Sequence, residues 1–309
     1  MRKIEIVTPV HNRREETIQC LKSLGRIDRT GLQIHIIIVD DGSTDGTAEL
    51  VASEFPDVEI VQGNGDLWYT AGTNRGIEAA LRHDPDYILA INNDSIFDEK
   101  CILNLVQCAE KYPRSVVGPL LLDWTVPHKL FQVGPCWELL RGGFRHWFKQ
   151  TIWTVPDRPW EVELIVGNCV LYPVQAIKEN GLMDEKRLPQ YGDAEYTPRM
   201  RRNGWRLIIE PRAKVFCKPN DPATGFRRLS LGQKIKRLFF EPFGPYSFRR
   251  RFYASIGGAP NLIEGLAALP IYYFRLLIGK NVDGAWALRQ QEEPFTKTFA
   301  KAVLDDKEA

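Results

Sequence analysis

The chain has 309 residues, of which 44% are hydrophobic, so it can bury a large core in one domain or in one domain with an extension. Its 41 basic and 39 acidic residues give a net charge of +2, which argues against wholesale binding of nucleic acid. The six cysteines form no Cys-x-x-Cys pair, and no uncharged apolar run reaches ~18 residues. The N-terminal MRK leads directly into a predicted strand. We therefore expect free thiols, no signal peptide and a cytoplasmic location.

Apolar runs alternate with helical patterns over the first 91 residues. Strands are predicted at residues 3–10, 34–39, 58–62 and 86–91. Helices are predicted at residues 15–24 and 71–81, with a further helix from about residue 47. This alternation predicts an α/β fold with a mixed, mostly parallel sheet flanked by helices.

Polar residues follow these strands at the edge where open α/β sheets place their ligands. The last strand runs into Asn-Asn-Asp at 92–94, and a carboxylate flanked by amides suits a hard divalent cation. The second runs into Asp-Asp at 40–41, which either accepts hydrogen bonds from a nucleoside or forms the turn and helix cap. Residues 63–76 are rich in glycine, so their backbone must approach a ligand or a neighbouring element closely. No Walker A loop or Gly-x-Gly-x-x-Gly is present at the first strand.

Six motifs in register resemble those of the inverting family 2 glycosyltransferases of GT-A fold, over about residues 3–217. They are PVHN at 9–12, VDDGS at 39–43, AGTNRG at 71–76, NND at 92–94, a predicted strand at 163–172 that contains GNC, and NGLMDE with YGDAEY within 180–196. The resemblance implies transfer of a sugar from a nucleotide-diphosphate sugar to a hydroxyl, with Mg²⁺ or Mn²⁺ as cofactor.

The resemblance also implies roles for single residues. Asp193 is expected to be the general base and Asp94 the metal ligand, with Glu195 as the alternative base. Where the family usually has Glu-Asp, this chain has Gly192-Asp193. The expected donor-binding residues are Pro9, Val10, His11, Asp41, Trp68, Arg75, Asn93 and Asp94. On the acceptor side we expect Gly167, Asn168 and Glu195.

The sequence changes character near residue 220. We predict a catalytic domain at 1–220 and, at 221–309, a basic, aromatic-rich helical extension with a polar tail after Glu292. Residues 199–251 carry fifteen basic side chains against three acids, and residues 262–278 are apolar apart from one acid, one base and a Pro break. Such helices either contact an anionic membrane surface, which would make the protein peripheral on the inner face of the cell membrane, or form a homodimer interface.

Before the extension, the tryptophan-rich segment 123–162 predicts an irregular hairpin or lid beside the acceptor.

The NND motif and the basic tail are most similar to the rhamnosyltransferase-like branch. That similarity implies dTDP-rhamnose as donor and, as acceptor, a growing lipid-linked polysaccharide or cell-wall glycan. Two alternatives stay open. A metal-dependent nucleotidyltransferase normally has a glycine-rich basic loop after its first strand, and residues 9–14 lack those glycines. A non-catalytic carbohydrate-binding protein would need neither metal nor nucleotide.

Overall fold

A sheet of nine strands forms the centre of the molecule. The computed structural model describes residues 1–133, 136–145, 147, 150–218, 226–241 and 244–278. Its strands are β1 (Arg2–Val10), β2 (Leu32–Asp40), β3 (Glu59–Gln62), β4 (Tyr87–Ile91), β5 (Ser95–Phe97), β6 (Ser115–Asp123), β7 (Cys136–Glu138), β8 (Gly143–Arg145), β9 (Trp160–Glu161), β10 (Cys169–Pro173) and β11 (Arg206–Cys217). Its helices are α1 (Arg14–Leu24), α2 (Thr47–Glu54), α3 (Trp68–Leu81), α4 (Cys101–Lys111), α5 (Val174–Asn180), α6 (Asp193–Arg202), α7 (Leu231–Ile235), α8 (Phe248–Gly258) and α9 (Leu262–Ile278).

The order of strands across the sheet is β3-β2-β1-β4-β10-β6-β11-β5, and β9 pairs with β11. β1 is parallel to β2 and β4, and β2 is parallel to β3. β10 runs antiparallel to both of its neighbours, β4 and β6, whereas β11 is parallel to β6. The predicted α/β fold with a mixed, mostly parallel sheet is therefore confirmed. Because β10 is antiparallel, its first residue, Cys169, pairs with Ile91, the last residue of β4.

Two apolar cores cover the two faces of the sheet. Helices α1, α2 and α4 pack on the face that carries Ile4 and Ile6. Helices α3, α5 and α6 pack on the opposite face, which carries Val7. All five residues of β4 are buried, as expected for a strand that is covered on both sides.

Two glycines allow α3 to lie close against β1. A Cβ atom at Gly72 would be 2.7 Å from Cβ of Pro9, and one at Gly76 would be 3.0 Å from Cβ of Val7. The glycine-rich sequence therefore serves, at these two positions, the contact between helix and sheet. The helix begins at Trp68, three residues before the predicted start. The prediction started too late because residues 68–70 carry no apolar periodicity that would indicate a helix.

The predicted strand over residues 163–172 is wrong in its first half. The strand begins at Cys169, and Gly167 and Asn168 form a turn before it. The N–H of Gly167 donates to the carboxylate of Asp193, which takes it out of any strand ladder.

Helix α8 of the C-terminal part packs directly on α6. A Cβ atom at Gly257 would collide with Cγ of Glu195, and one at Gly258 would be 2.8 Å from the carbonyl oxygen of Ala194. Arg202 also donates to the carbonyl oxygens of Gly257 and Ala259. The division of the chain at residue 220 stays a prediction, since residues 219–225 lie outside the described part, as does the predicted polar tail after Glu292.

Segment 123–162 contains the short hairpin β7–β8, whose two strands join through a 3₁₀ turn at Leu139–Arg141. Trp124 is buried, the rings of Trp147 and Trp160 stack with centroids 6.3 Å apart, and Trp153 is exposed. A position beside the acceptor stays a prediction for this segment.

None of the described helices has the length and apolarity that crossing a membrane requires.

We predict that Gly72→Ala lowers the free energy of unfolding by about 1–3 kcal/mol, because the added methyl group overpacks against Pro9. Gly232→Ala in α7 is the matched control, since a Cβ atom there meets no atom of the described residues within 4 Å. The control is expected to match the wild type or gain up to about 1 kcal/mol from helix propensity. Urea unfolding of the three proteins measures both effects, and a Gly72→Ala variant as stable as the control would contradict the prediction.

Candidate active site

The turn before β10 joins three separate parts of the chain. The N–H of Gly167 donates to Asp193 at 2.9 Å, and the hydroxyl of Tyr69 donates to the carbonyl oxygen of Gly167 at 3.0 Å. The N–H of Asn92 donates to the carbonyl oxygen of Asn168 at 3.0 Å. The start of α3, the end of β4 and the start of α6 therefore meet at the carboxyl edge of the parallel strands, where the ligands of such sheets bind.

Asp193 is the first residue of α6, and its partly buried carboxylate is directed at this turn. Burial raises the pKa of Asp193, and the hydrogen bond from the N–H of Gly167 offsets part of that rise. A carboxylate with a raised pKa is a stronger base than a solvated one, which suits it to accept a proton. Position 167 has no room for a side chain, because a Cβ atom there would be 2.9 Å from Cβ of Asp193 and would collide with the hydroxyl of Tyr69.

Asp94 follows β4 and is buried. Its Oδ2 pairs with Nη1 of Arg13 at 2.7 Å, while its Oδ1 is buried without a hydrogen-bond partner among the described residues. Burial raises the pKa of Asp94, and the charge of Arg13 offsets part of that rise. A buried carboxylate oxygen that lacks a partner is a fitting ligand for Mg²⁺ or Mn²⁺, so the residue present suits the expected metal.

Arg13 is a site residue that the sequence analysis missed. Asn12 and Arg13 both have positive φ values, 58° and 61°, which non-glycine residues rarely adopt. This backbone carries the guanidinium group of Arg13 back to Asp94, 81 residues further along the chain. A polar stretch between a strand and a helix gives no sign of such a contact, although two strained residues in sequence are typical of functional loops.

Asp41 supports the glycine-rich segment through both of its carboxylate oxygens. Oδ1 accepts the N–H of Gly65 at 2.8 Å, and Oδ2 accepts the N–H groups of Leu67 at 2.8 Å and Trp68 at 3.3 Å. Nδ1 of His11 donates to the backbone carbonyl oxygen of Asp41 at 2.6 Å. These bonds hold the loop that leads into α3, and contact of Asp41 or His11 with a nucleoside stays a prediction.

The remaining donor-side residues differ in their placement. Trp68 is 43% exposed at the start of α3 and has a φ of 58°, and its Nε1 donates to Asp66 at 2.9 Å. Pro9 lies under α3, and Val10 is buried in the core. Arg75 is on the exposed face of α3, two turns beyond Trp68.

Asn93 and Glu195 are turned away from the central turn. Nδ2 of Asn93 donates to Oγ1 of Thr17 at 2.9 Å, which ties the end of β4 to α1. Glu195 pairs with Arg199 at 2.9 Å and packs against Gly257 of α8. Roles in donor binding and as the alternative base stay predictions for these two residues.

No role was predicted for Thr70 of α3 or for Asn74, which lies in the AGTNRG motif. The N–H of Thr70 donates to the carbonyl oxygen of Pro189 at 2.8 Å, and its hydroxyl donates to that of Leu188 at 2.6 Å. Nδ2 of Asn74 donates to the carbonyl oxygen of Met183 at 2.9 Å. These bonds tie the donor-side helix to the segment that leads into Asp193.

A different group of ionisable side chains is remote from this edge. Glu5, His35 and His83 have ligand atoms within 4.8 Å of one another, the single such set of three in the described part of the chain. Glu5 precedes Val10, the last residue of β1, by five residues. At ~3.3 Å per residue, Glu5 is therefore about 16 Å from the sheet edge at which Asp94 lies. This cluster is therefore separate from Asp94.

Residues 5–152 match the model of glycosyl transferase family 2. An N-acetylglucosaminyl-diphospho-decaprenol L-rhamnosyltransferase of Mycobacterium tuberculosis is 26% identical over 208 residues, which cover 59% of this chain and 66% of the relative. The glycosyltransferase GlyG of Streptococcus pneumoniae is 29% identical over 117 residues, or 37% of each chain. The chain thus spans slightly less than two thirds of the mycobacterial relative.

Two solved structures share the fold. A structure of GalNAc-T7 with UDP, GalNAc and Mn²⁺ superposes with a TM-score of 0.58 at 13% identity, over 93% of this chain and 59% of that one. Residues 1–349 of TarS from S. aureus superpose with a TM-score of 0.57 at 14% identity, over 91% of this chain and 74% of that one. Residues 5–152 therefore form a glycosyl transferase family 2 domain, and the chain shares the GT-A fold of the two solved structures.

Proposed function

We propose that this protein transfers a sugar, with inversion, from a nucleoside diphosphate sugar to a hydroxyl group of a glycan acceptor. The observation that carries the proposal is the Gly167–Asn168 turn, which links the loop of Asp94 to the carboxylate of Asp193. Oδ1 of Asp94 has no partner in the described part of the chain and is available to a cation, and the pKa of Asp193 is raised. Displacement of a diphosphate needs both charge compensation at the leaving group and a base at the attacking group.

Asp193 would accept the proton of the acceptor hydroxyl as that oxygen attacks the anomeric carbon. The N–H of Gly167 holds the carboxylate in place, and the hydroxyl of Tyr69 holds the turn. The pKa of Tyr69 is raised, chiefly by burial and further by the charge of Asp193, so its hydroxyl stays protonated and keeps donating.

The donor would lie across the ends of β1, β2 and β4. Asp94 would hold Mg²⁺ or Mn²⁺, which offsets the negative charge that develops on the departing diphosphate. The ring of Trp68 offers an exposed face for stacking, and its strained backbone is consistent with a functional position.

The finer identity of the substrates follows from similarity. The mycobacterial relative is described as an L-rhamnosyltransferase that acts on an N-acetylglucosaminyl-diphospho-decaprenol. Together with the NND motif, this supports dTDP-rhamnose as the donor and a lipid-linked cell-wall glycan as the acceptor. A carbohydrate-binding protein without catalysis would have no use for the two carboxylates, and a nucleotidyltransferase would have none for the base.

We further propose that the helical extension contacts the surface of an anionic membrane. Eleven of the fifteen large apolar side chains that are exposed in the described chain lie within residues 231–278. Ring contacts from Phe239 to Phe248 and from Phe248 to Tyr273 join its helices. The same stretch carries seven basic and two acidic residues, so its charge complements anionic lipid.

The donor site is tested by thermal unfolding with UDP, dTDP, GDP or CMP, each with and without Mn²⁺. We expect dTDP with Mn²⁺ to raise the melting temperature, because a ligand at 100 times its Kd adds about 2.7 kcal/mol. Asp94→Asn should abolish this stabilisation, since an amide cannot supply the anionic ligand. Asp57→Asn, which changes an exposed carboxylate, is the matched control. Stabilisation by another nucleotide would replace dTDP as the donor base, and stabilisation by none would contradict the proposed function.

Replacement of Asp193 by Asn should lower kcat by about 10²- to 10⁴-fold, the usual contribution of a general base, while nucleotide binding persists. The variant should unfold at the wild-type temperature or above it. A raised pKa means that the folded state favours the neutral carboxyl, so stability is lost as pH rises through the folded pKa, and the neutral amide avoids that loss. Because the base must be ionised, the acid limb of kcat/KM should lie above the ordinary aspartate value of about 3.9.

A second pair of variants decides between the two candidate bases. If Glu195→Gln abolishes transfer while Asp193→Asn retains it, the base is Glu195 and the assignment to Asp193 is wrong.

Membrane contact is tested by cosedimentation with lipid vesicles. We expect binding to vesicles that contain phosphatidylglycerol, little binding to pure phosphatidylcholine, and weaker binding at high salt. The double variant Phe240→Ser and Ile263→Ser removes two side chains that are 74% and 80% exposed, and should weaken binding at least about tenfold. Trp153→Ser, at an exposed position outside the extension, should bind like the wild type. If light scattering instead shows a dimer that the double variant dissociates, the face is a subunit interface.

A further inference from the structure

A surface cleft lies beside the proposed base. It is lined by Arg187, Tyr191 and the residues between them, together with Arg249 and Arg250 of α8. Tyr191 precedes Asp193 by two residues. Bonds from Thr70 tie the lining residues 188 and 189 to α3, so one wall of the cleft belongs to the catalytic core. The other wall belongs to α8 of the helical extension.

The cleft is strongly basic. The guanidinium group of Arg250 lies over the ring of Tyr191, 3.6 Å from its centroid. Arg249 donates to the carbonyl oxygen of Lys186 at 2.9 Å, and Arg250 donates to that of Gly244 at 3.2 Å. In the described part of the chain, neither Arg249 nor Arg250 is within ion-pair distance of a carboxylate. Each guanidinium has five N–H donors, so both retain donors for an anion.

The third arginine of the cleft is already paired. Nη1 of Arg187 lies 3.3 Å from the carboxylate of Asp184. The uncompensated positive charge of the cleft therefore comes from α8, an element of the extension and not of the catalytic core.

We propose that this cleft binds a phosphate or diphosphate group of the acceptor, next to the hydroxyl that Asp193 deprotonates. This inference rests on the proposed function. Paired guanidinium groups bind phosphate oxygens through charge-assisted hydrogen bonds, often two at a time.

The order of the surfaces also fits such an acceptor. Arg250 lies over the ring of Tyr191, two residues before Asp193, and the exposed Phe248 directly precedes Arg249 on α8. A molecule in which a sugar is followed by a diphosphate and then by a hydrocarbon chain has its groups in the same order. The diphosphate would therefore fix the position of the sugar relative to the base.

Calorimetry with the full chain tests the cleft directly. The probes are geranyl diphosphate, geraniol and inorganic pyrophosphate, each added to protein saturated with Mn²⁺ and the nucleoside diphosphate that stabilises it, so that the donor site is filled. We expect geranyl diphosphate to bind at least about tenfold more tightly than geraniol. Arg249→Gln and Arg250→Gln should each weaken that binding by about ten- to hundredfold, the range of a charge-assisted hydrogen bond. Arg158→Gln, an exposed arginine outside the cleft, is the matched control.

The outcomes separate this inference from the proposed function. If no nucleoside diphosphate stabilises the protein, the proposed function fails before the probes are used. If a nucleotide binds but geranyl diphosphate and geraniol bind equally, or if the arginine variants bind like the control, the anion site is overturned and the proposed function stands. Pyrophosphate that binds as tightly as geranyl diphosphate would support an anion site and overturn the role of the hydrocarbon chain. Because Arg249 is exposed, its variant keeps the test valid if the Arg250 variant fails to fold.

Discussion

The antiparallel pairing of β10 with β4 is the constraint on which the site depends. A parallel strand at this position would begin at the opposite edge of the sheet, whereas β10 begins where β4 ends. The turn before β10 therefore lies at the edge where the polar loops emerge, and its backbone groups bond to α3, to the end of β4 and to α6. Gly167 occupies the crowded centre, since Tyr69 and Asp193 leave no volume for a side chain. One reversed strand thus brings together residues that are about a hundred positions apart.

The two carboxylates at this edge show how different partners separate chemical roles. Burial raises the pKa of both Asp94 and Asp193, but the groups that offset it differ. Asp94 is paired with a charged side chain, Arg13, whereas Asp193 is held by a backbone N–H. A cation that binds Asp94 adds positive charge beside the guanidinium group of Arg13. The negative phosphates of the donor would offset this charge, so the affinity for the metal and the affinity for the donor are coupled. Among the described residues no cation lies as close to Asp193 as Arg13 lies to Asp94, and the basicity of Asp193 is set chiefly by burial.

The sequence allowed the fold to be predicted because the determining patterns are local. Apolar runs and helical spacing define β1 to β4 and their helices, and motif order carried the family assignment and the residues at the strand ends. The missed features depend on long-range contacts. Arg13 reaches Asp94 only because of two strained residues, and Gly167 leaves the predicted strand because its N–H is used elsewhere. The cleft beside Tyr191 is completed by α8, nearly sixty residues later, and no local pattern carries that information.

The glycine contacts between α8 and α6 have a consequence for protein engineering. Gly257 lets the extension lie close against the side chain of Glu195, and Gly258 lets it lie close against the backbone of Ala194, both on the helix that carries Asp193. A truncation before α8 would expose the partly buried Glu195–Arg199 pair and leave Arg202 without its carbonyl acceptors. Chimaeras built by exchanging the C-terminal segment among homologues would therefore need matching α6 sequences, because the boundary between the two regions is a shared packing surface.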